Sequence, residues 1–274
     1  MDKLNVDIRN GVAFASINNP PLNVLDASLM ISLGQFVASM QEDKTVKVIV
    51  FQSADPDFFI AHGDTNYIVD PTSFASLASP EMLQAPINPM QHLHEQIRQL
   101  SQVTIAVIDG FVRGGGAELA LACDMRFASL EKARFGQPET LMGIIPGGGG
   151  TQYLTRLIGR ARTMEVIVGG ELLDGVMAEK YGLVNRALPQ ADLYNYVNAL
   201  ATRIAKLPED VADYAVKAID AASGDLYEGL TLENQLCMGL FARPATVARA
   251  KVALAAGVQT REGEKDLEGI LNKL

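Results

Sequence analysis

Apolar and polar positions alternate through residues 4–18, and Asn10-Gly11 interrupts the alternation at its middle. That dipeptide is a two-residue turn signal, so the segment is predicted to be a β-hairpin. Residues 27–42 change to a helical period, predicting an amphipathic helix with Asp26 or Ser28 near its N-cap. Val46–Phe51 and Val103–Ile108 are short β-branched apolar runs and are predicted as buried strands. Between them, residues 57–67 are expected to form a loop and residues 69–88, rich in Pro, Ser and Ala, a long surface loop or lid. Residues 90–101 are expected to be helical.

After Asp109-Gly110 a helix is expected from Gly115 to about Cys123, then short strands at 125–129 and near 133–136. From about residue 150 the pattern is mostly helical. It is broken at Gly159, Gly169-Gly170, Gly182, Pro189, Pro208 and Pro244. The order is mixed α/β first and all-α last, with a boundary expected at 205–208. This divides the chain into a core of residues 1–205 and a helical segment of 206–274.

Composition narrows the function classes. The chain has 274 residues, is 48% hydrophobic and carries a formal net charge of -9. That charge disfavours nucleic acid and anionic membrane as partners, since both demand a basic surface. The two cysteines, Cys123 and Cys237, form no C-x-x-C, so neither a disulfide framework nor a zinc knuckle is expected. No apolar run reaches membrane-spanning length, and a cytoplasmic location is expected. His92 and His94 stand two apart on a predicted helix and do not share a face, so they are not expected to hold a metal.

The densest chemistry lies between Arg113 and Thr151. Glu118 and Glu139 flank a short strand-like segment, each close to a run of glycines. Gly114, Gly115 and Gly116 open a predicted helix, whose N-terminal N–H groups can hold a developing oxyanion or simply make a tight turn. The spacing matches neither a dinucleotide fingerprint nor a P-loop. The loop Ala61-His62-Gly63-Asp64 also follows a buried strand, and could supply a second donor at the same end of a sheet. Glu118 sits among Leu119, Ala120, Leu121 and Ala122, where a carboxylate needs a partner or a role. Two carboxylates beside such donors suit acid/base work on an activated acyl group, without metal or redox cofactor. No G-x-S-x-G occurs, which disfavours a nucleophile-elbow hydrolase.

Taken in order, these segments resemble the crotonase (enoyl-CoA hydratase/isomerase) superfamily over about residues 5–257. The matching stretches are Pro21–Leu25, Ala61–Asp64, Gly114–Glu118, Phe135–Glu139, Ile145–Gln152 and Ala178 to Val184. The resemblance implies an α/β crotonase-like spiral of repeated ββα units in two nearly perpendicular sheets, with a C-terminal helical segment. It implies trimers, often paired into hexamers, and acyl-CoA thioester substrates, with coenzyme A as part of the substrate and no separate cofactor.

The resemblance also implies an oxyanion hole from the N–H groups of Gly63 and Gly115, with Glu118 as the main water-activating base and Glu139 as proton donor. Leu22, Val24, Ala61, His62, Asp64, Gly114, Pro138 and Gly147 are the implied substrate-binding positions. Arg113, Lys251 and Arg261 are candidates for the CoA phosphates.

Retention of both glutamates favours hydration of a 2-enoyl-CoA. Double-bond isomerisation, hydratase-lyase chemistry, thioester hydrolysis and a silent CoA-binding role are the alternatives. An RNA-binding branch of the family uses a lysine-rich early helix, and residues 27–42 contain no Lys or Arg. The chain departs from the family pattern at His62, which stands where Gly is usual, as an auxiliary donor or a plain loop histidine. It departs again at Thr65-Asn66, where the usual Lys is missing. The segment 66–102 is also longer than in short hydratases, and one extra residue near Leu130 separates the two glutamates.

Overall fold

The computed structural model describes residues 3–75, 77–78, 86–241 and 243–273. Its contacts divide the chain into two units, Met1–Ala205 and Lys206–Leu274.

The first unit opens with the hairpin β1 (Leu4–Arg9) and β2 (Val12–Ile17). Asn10 and Gly11 both take positive φ, 52° and 75°, as a primed two-residue turn requires. Helix α1 (Ala27–Glu42) buries Leu29, Leu33, Phe36, Val37 and Met40 along one stripe, and Asp26 caps it by accepting from the Leu29 N–H at 2.8 Å. Strand β3 (Val48–Ser53) follows, then β4 (Phe58–Ile60) and two short helices, α2 (Asn66–Val69) and α3 (Pro71–Ala75).

These elements correct the expected loops at 57–67 and 69–88. A three-residue strand is too short for its period to show, and α3 starts on a proline, which suits a first helical turn. Residue 76 and residues 79–85 of the expected lid lie outside the described residues.

Helix α4 (Pro89–Arg98) leads to β5 (Val103–Ile108), β6 (Phe111–Arg113) and α5 (Gly115–Ala122). Strands β7 (Met125–Ser129) and β8 (Arg134–Gly136) come next, then α6 (Gly150–Ile158) and α7 (Arg160–Ile167). The unit closes with β9 (Leu173–Asp174), α8 (Gly175–Tyr181), β10 (Arg186–Leu188) and α9 (Gln190–Ala205). Strands β9 and β10 are short exceptions to the mostly helical pattern expected beyond about residue 150.

Two sheets result, with orders β1-β2-β3-β5-β7-β10 and β4-β6-β8-β9. Each of the consecutive pairs β3–β4, β5–β6 and β7–β8 gives its first strand to the large sheet and its second to the small one. The large sheet is parallel beyond its hairpin. Its two-residue side-chain period separates two cores. Ala13, Ala15, Ile17, Ile49, Phe51, Ala106 and Ile108 face one, while Val12, Phe14, Val48, Val50, Ile105 and Val107 face the other. Leu193, Val197 and Ala201, each four residues apart on α9, cover the second.

The second unit is helical: α10 (Val211–Ala221), α11 (Leu226–Phe241), α12 (Pro244–Ala255), a 3-10 turn at Gly263–Asp266 and α13 (Leu267–Leu271). Arg243 ties it together, donating to Asp210 Oδ2 at 2.7 Å and to the Glu209 carbonyl at 3.0 Å. Leu226, Tyr227, Ile219 and Phe241 are exposed on it. No helix among the described residues is long and apolar enough to cross a membrane.

Candidate active site

The small sheet positions the site. Strands β4, β6 and β8 are adjacent and parallel, with Ile60 paired to Val112 and Arg113 to Gly136. Three segments therefore leave the same end of the sheet side by side: His62-Gly63, Gly114-Gly115 and Gln137-Pro138-Glu139. Ligands gather at the carboxyl ends of parallel strands because the chain must diverge there. The Gly114 N–H extends the ladder one step further, donating to the Gly136 carbonyl at 3.0 Å.

Leu25 forms an isolated parallel bridge with Gly63: the Leu25 N–H donates to His62 O at 2.9 Å, and the Asp64 N–H to Leu25 O at 3.2 Å. In such a bridge the N–H of the middle residue points away from its partner. The Gly63 N–H is thus turned away from Leu25, and neither it nor the Gly115 N–H, in the first turn of α5, has a protein acceptor among the described residues. Met90 lies against both: a Cβ built on Gly63 would stand 3.7 Å from its Cε, and one on Gly115 3.3 Å from the same carbon. Gly114 takes φ +49°, and a Cβ there would meet Glu139 Oε1 at 2.6 Å. The first glycine of the triplet is therefore required both by backbone conformation and by the carboxylate above it.

Glu118 is 1% exposed. Its Oε1 accepts from the Gly148 N–H at 2.7 Å and the Gly150 N–H at 2.8 Å. Burial pushes its pKa up and these two hydrogen bonds pull against that, with burial prevailing. Glu139 sits on the 3-10 turn Pro138–Met142, which Thr140 anchors by donating to the Ile167 carbonyl at 2.6 Å. Burial, with the charge of Glu118 adding to it, raises the Glu139 pKa to about 7. Buried Gln137 faces the same carboxylate. With its amide nitrogen turned inward, the orientation its neighbours satisfy, it donates to the two oxygens at 3.0 and 3.2 Å.

One cleft of about 880 Å3, open mouth included, joins these groups. Of the residues expected from sequence, His62, Gly63, Asp64, Gly114, Gly115, Glu118, Pro138, Glu139 and Gly147 line it. Leu22, Val24 and Ala61 stand outside the lining. Leu22 and Ala61 pair through their backbones at 3.3 Å, and Val24 O accepts from Asn19 at 2.9 Å, so this segment supports the Gly63 loop from behind. His62 turns its Nδ1 to the Gly63 carbonyl at 2.8 Å. Arg113 stacks over the Phe111 ring at 4.1 Å, whereas Lys251 and Arg261 belong to the second unit.

Sequence reasoning missed Tyr67, Phe74, Asn88, Met90 and the apolar Met142, Ile144 and Ile145 of the lining. Asn88-Pro89 was a readable signal, since Asn before Pro marks a helix start. Leu130, where an extra residue was expected, falls in the β7–β8 turn, and β8 pairs with β6 through Arg134, Phe135 and Gly136. Among the described residues no group of three His, Cys, Asp or Glu side chains is placed to hold a metal.

A model of enoyl-CoA hydratase/isomerase matches residues 7–253. A mitochondrial enoyl-CoA hydratase of Pongo abelii is 34% identical over 235 residues, covering 85% of this chain and 77% of that protein. An enoyl-CoA hydratase from Bacillus anthracis has a solved structure that superposes with a TM-score of 0.80 at 30% identity, covering 93% of this chain and 95% of that one. A Streptomyces avermitilis structure is 43% identical with a TM-score of 0.75, covering 99% and 97%. These neighbours share the crotonase fold.

Proposed function

Because the chain belongs to the enoyl-CoA hydratase/isomerase family, we propose that it adds water across the double bond of a 2-enoyl-CoA to give the 3-hydroxyacyl-CoA. The observation that carries this reading is the pair Glu118 and Glu139 sharing one cleft with two unspent glycine N–H groups.

In the proposed reaction the thioester oxygen accepts from the Gly63 and Gly115 N–H groups. These donors hold the charge that reaches the oxygen as water adds at Cβ. One such donor is worth about 2.7–4 kcal/mol in the transition state. Glu118, whose ionised form is favoured by two N–H donors, takes a proton from water as the oxygen bonds to Cβ. Glu139, which holds its proton up to about pH 7, gives it to Cα. Water is thereby divided, hydroxyl to Cβ and a net proton to Cα, and a proton passing from Glu118 to Glu139 restores the starting state. Ile68, Phe74, Met142, Ile144 and Ile145 offer an apolar wall suited to the acyl chain. Coenzyme A enters as part of the substrate, and the route uses no metal or redox cofactor.

The test is loss of the enoyl-thioester absorbance with crotonyl-CoA and with longer and aromatic enoyl-CoAs, for the parent, Glu118→Gln and Glu139→Gln. Turnover by the parent, reduced about a hundredfold or more in each variant, supports paired acid/base hydration. A parent inert toward all of them sinks the reading. The proposal extends to homotrimers or pairs of trimers, which the exposed apolar side chains of the second unit support. Light scattering that returned a monodisperse monomer would contradict it.

A further inference from the structure

Glu118 depends on N–H groups that reach it from a run of four glycines, the most conformationally free sequence a chain can offer. Helix α4 supplies what the run lacks. Asn88 caps the helix, its Oδ1 accepting from the Gln91 N–H at 2.9 Å, while its Nδ2 donates to the Gly147 carbonyl at 2.8 Å. Two turns on, His94 is 0% exposed and its Nδ1 lies 2.6 Å from the Gly148 carbonyl. A carbonyl only accepts, so Nδ1 carries the proton. Burial lowers the His94 pKa to about 4, which keeps the ring neutral and leaves Nε2 bare. Nε2 is buried without a hydrogen-bond partner among the described residues.

The peptide geometry makes these contacts bear on Glu118. The peptide joining Gly147 to Gly148 has its oxygen held by Asn88 and its N–H given to Glu118. The next peptide has its oxygen held by His94, and the Gly150 N–H that follows is the second donor to Glu118. Asn88 thus fixes the peptide that carries the first donor, and His94 fixes the peptide lying between the two that carry the donors, so its hold restrains the chain on both sides. His94 occupies the same buried stripe of α4 as Met90, Leu93 and Ile97, where an aliphatic side chain would fill space without stranding a ring nitrogen. A buried unpaired nitrogen costs stability, and the Gly148 contact is what the histidine provides in exchange.

We propose that His94 is a positioning residue for Glu118, acting through the Gly148 carbonyl to hold the Gly147–Gly150 run in the conformation that presents its two N–H groups to the carboxylate. The kinetic arm of the test rests on the hydratase reading; a structural arm does not. His94→Asn, His94→Gln and His94→Leu are compared in the full chain, with rates normalised to folded protein. The Asn amide nitrogen reaches the place of Nδ1, the Gln amide extends toward Nε2 instead, and Leu has no donor.

Expected with crotonyl-CoA are a kcat lowered about tenfold or more in the Gln and Leu variants and a KM within about twofold. His94→Asn is expected to recover to within about threefold of the parent. A merely structural histidine would lower thermal stability in all three without this split or this selective rescue. The Asn-against-Gln comparison decides the matter even where His94→Leu does not fold. Equal kcat in the Asn and Gln variants overturns the proposal.

Crystal structures of the same variants form the second arm. Loss of the Gly148 N–H contact to Glu118 in His94→Gln with its retention in His94→Asn supports the assignment; an intact contact in His94→Gln overturns it. A parent that hydrates no enoyl-CoA fails the functional reading alone, and the crystallographic arm still decides the role of His94.

Discussion

Gly148→Ala separates catalysis from folding more sharply than removal of either glutamate. The φ of Gly148 is not positive, so its backbone admits alanine without strain. The added methyl would stand 2.5 Å from Glu118 Oε2, 2.9 Å from its carboxyl carbon and 2.8 Å from Met90 Sδ. All three atoms belong to side-chain ends, so the clash is relieved by moving Glu118 and Met90 rather than the backbone. An ordinary carbon–oxygen separation requires the carboxylate to retreat by about 0.8 Å or more, judged against the usual contact distances of about 3.3 Å and above. Oε1 is bonded at 2.7 and 2.8 Å, and that retreat breaks or bends both bonds.

Hydrogen bonds to a charged group are worth about 1.5–3 kcal/mol each, and a misplacement of about 1 Å at a reacting group costs about a hundredfold in rate. The expected outcome is a kcat on crotonyl-CoA down about a hundredfold, with a thermal midpoint within a few degrees of the parent. A variant that folds and keeps kcat within about threefold would refute the placement of Glu118 in the chemistry.

Gly110→Ala is the converse case: its methyl would run into the Asp57 carbonyl oxygen, a backbone atom, so calorimetry should show a loss of stability of several degrees, with kcat per folded molecule retained. Glu139 keeps its proton in the folded chain up to about pH 7 against an ordinary 4.5. The proton-donating form is therefore lost as pH rises through about 7, and kcat for hydration should fall on that limb in a pH–rate profile. The same shift makes the folded state bind more protons than the unfolded chain between about 4.5 and 7. Its contribution to stability is thus full below 4.5 and declines as pH rises to 7, a slope that Glu139→Gln should remove from a pH series of denaturation midpoints. Arg126 is buried and donates to the carbonyls of Leu183 and Cys123 at 2.8 and 2.6 Å, closing the C-terminus of α5. Arg126→Leu should cost about 3 kcal/mol in chemical denaturation, since it strands buried acceptors.

Elements long enough to show a period were legible. The hairpin around Asn10-Gly11, α1, β3 and β5 carry their pattern in six or more residues, and α5 is announced by its glycines. Strands β4, β6, β9 and β10 were not: two or three residues display little alternation, although the equally short β8 was expected near 133–136. The small sheet owes its existence to pairing between segments some twenty to fifty residues apart. The glutamates were found because each stands next to glycines within its own segment. Met90, Asn88 and His94 were not assigned to the site, because their partners, Gly115, Gly147 and Gly148, lie on other segments. On a helix pattern all three read as packing or capping, and nothing local distinguishes a buried histidine that holds a carbonyl from one that fills space.

The division of roles proposed for the glutamates rests on the same geometry. Two like carboxylates in one apolar cleft cannot both ionise freely, so whichever receives more hydrogen-bond donors carries the charge. Glu118 has two backbone N–H groups fixed by the covalent chain, and these donate whatever the pH. Glu139 faces Gln137, whose amide presents a donor in one orientation and an acceptor in the other, and can therefore accommodate either protonation state. A base that must be charged at the start of hydration is best served by donors that cannot turn away. An acid that must release its proton within the cycle is best served by a neighbour that can. That asymmetry, rather than burial, which raises both pKa values, is the physical reason for assigning the base to Glu118 and the acid to Glu139.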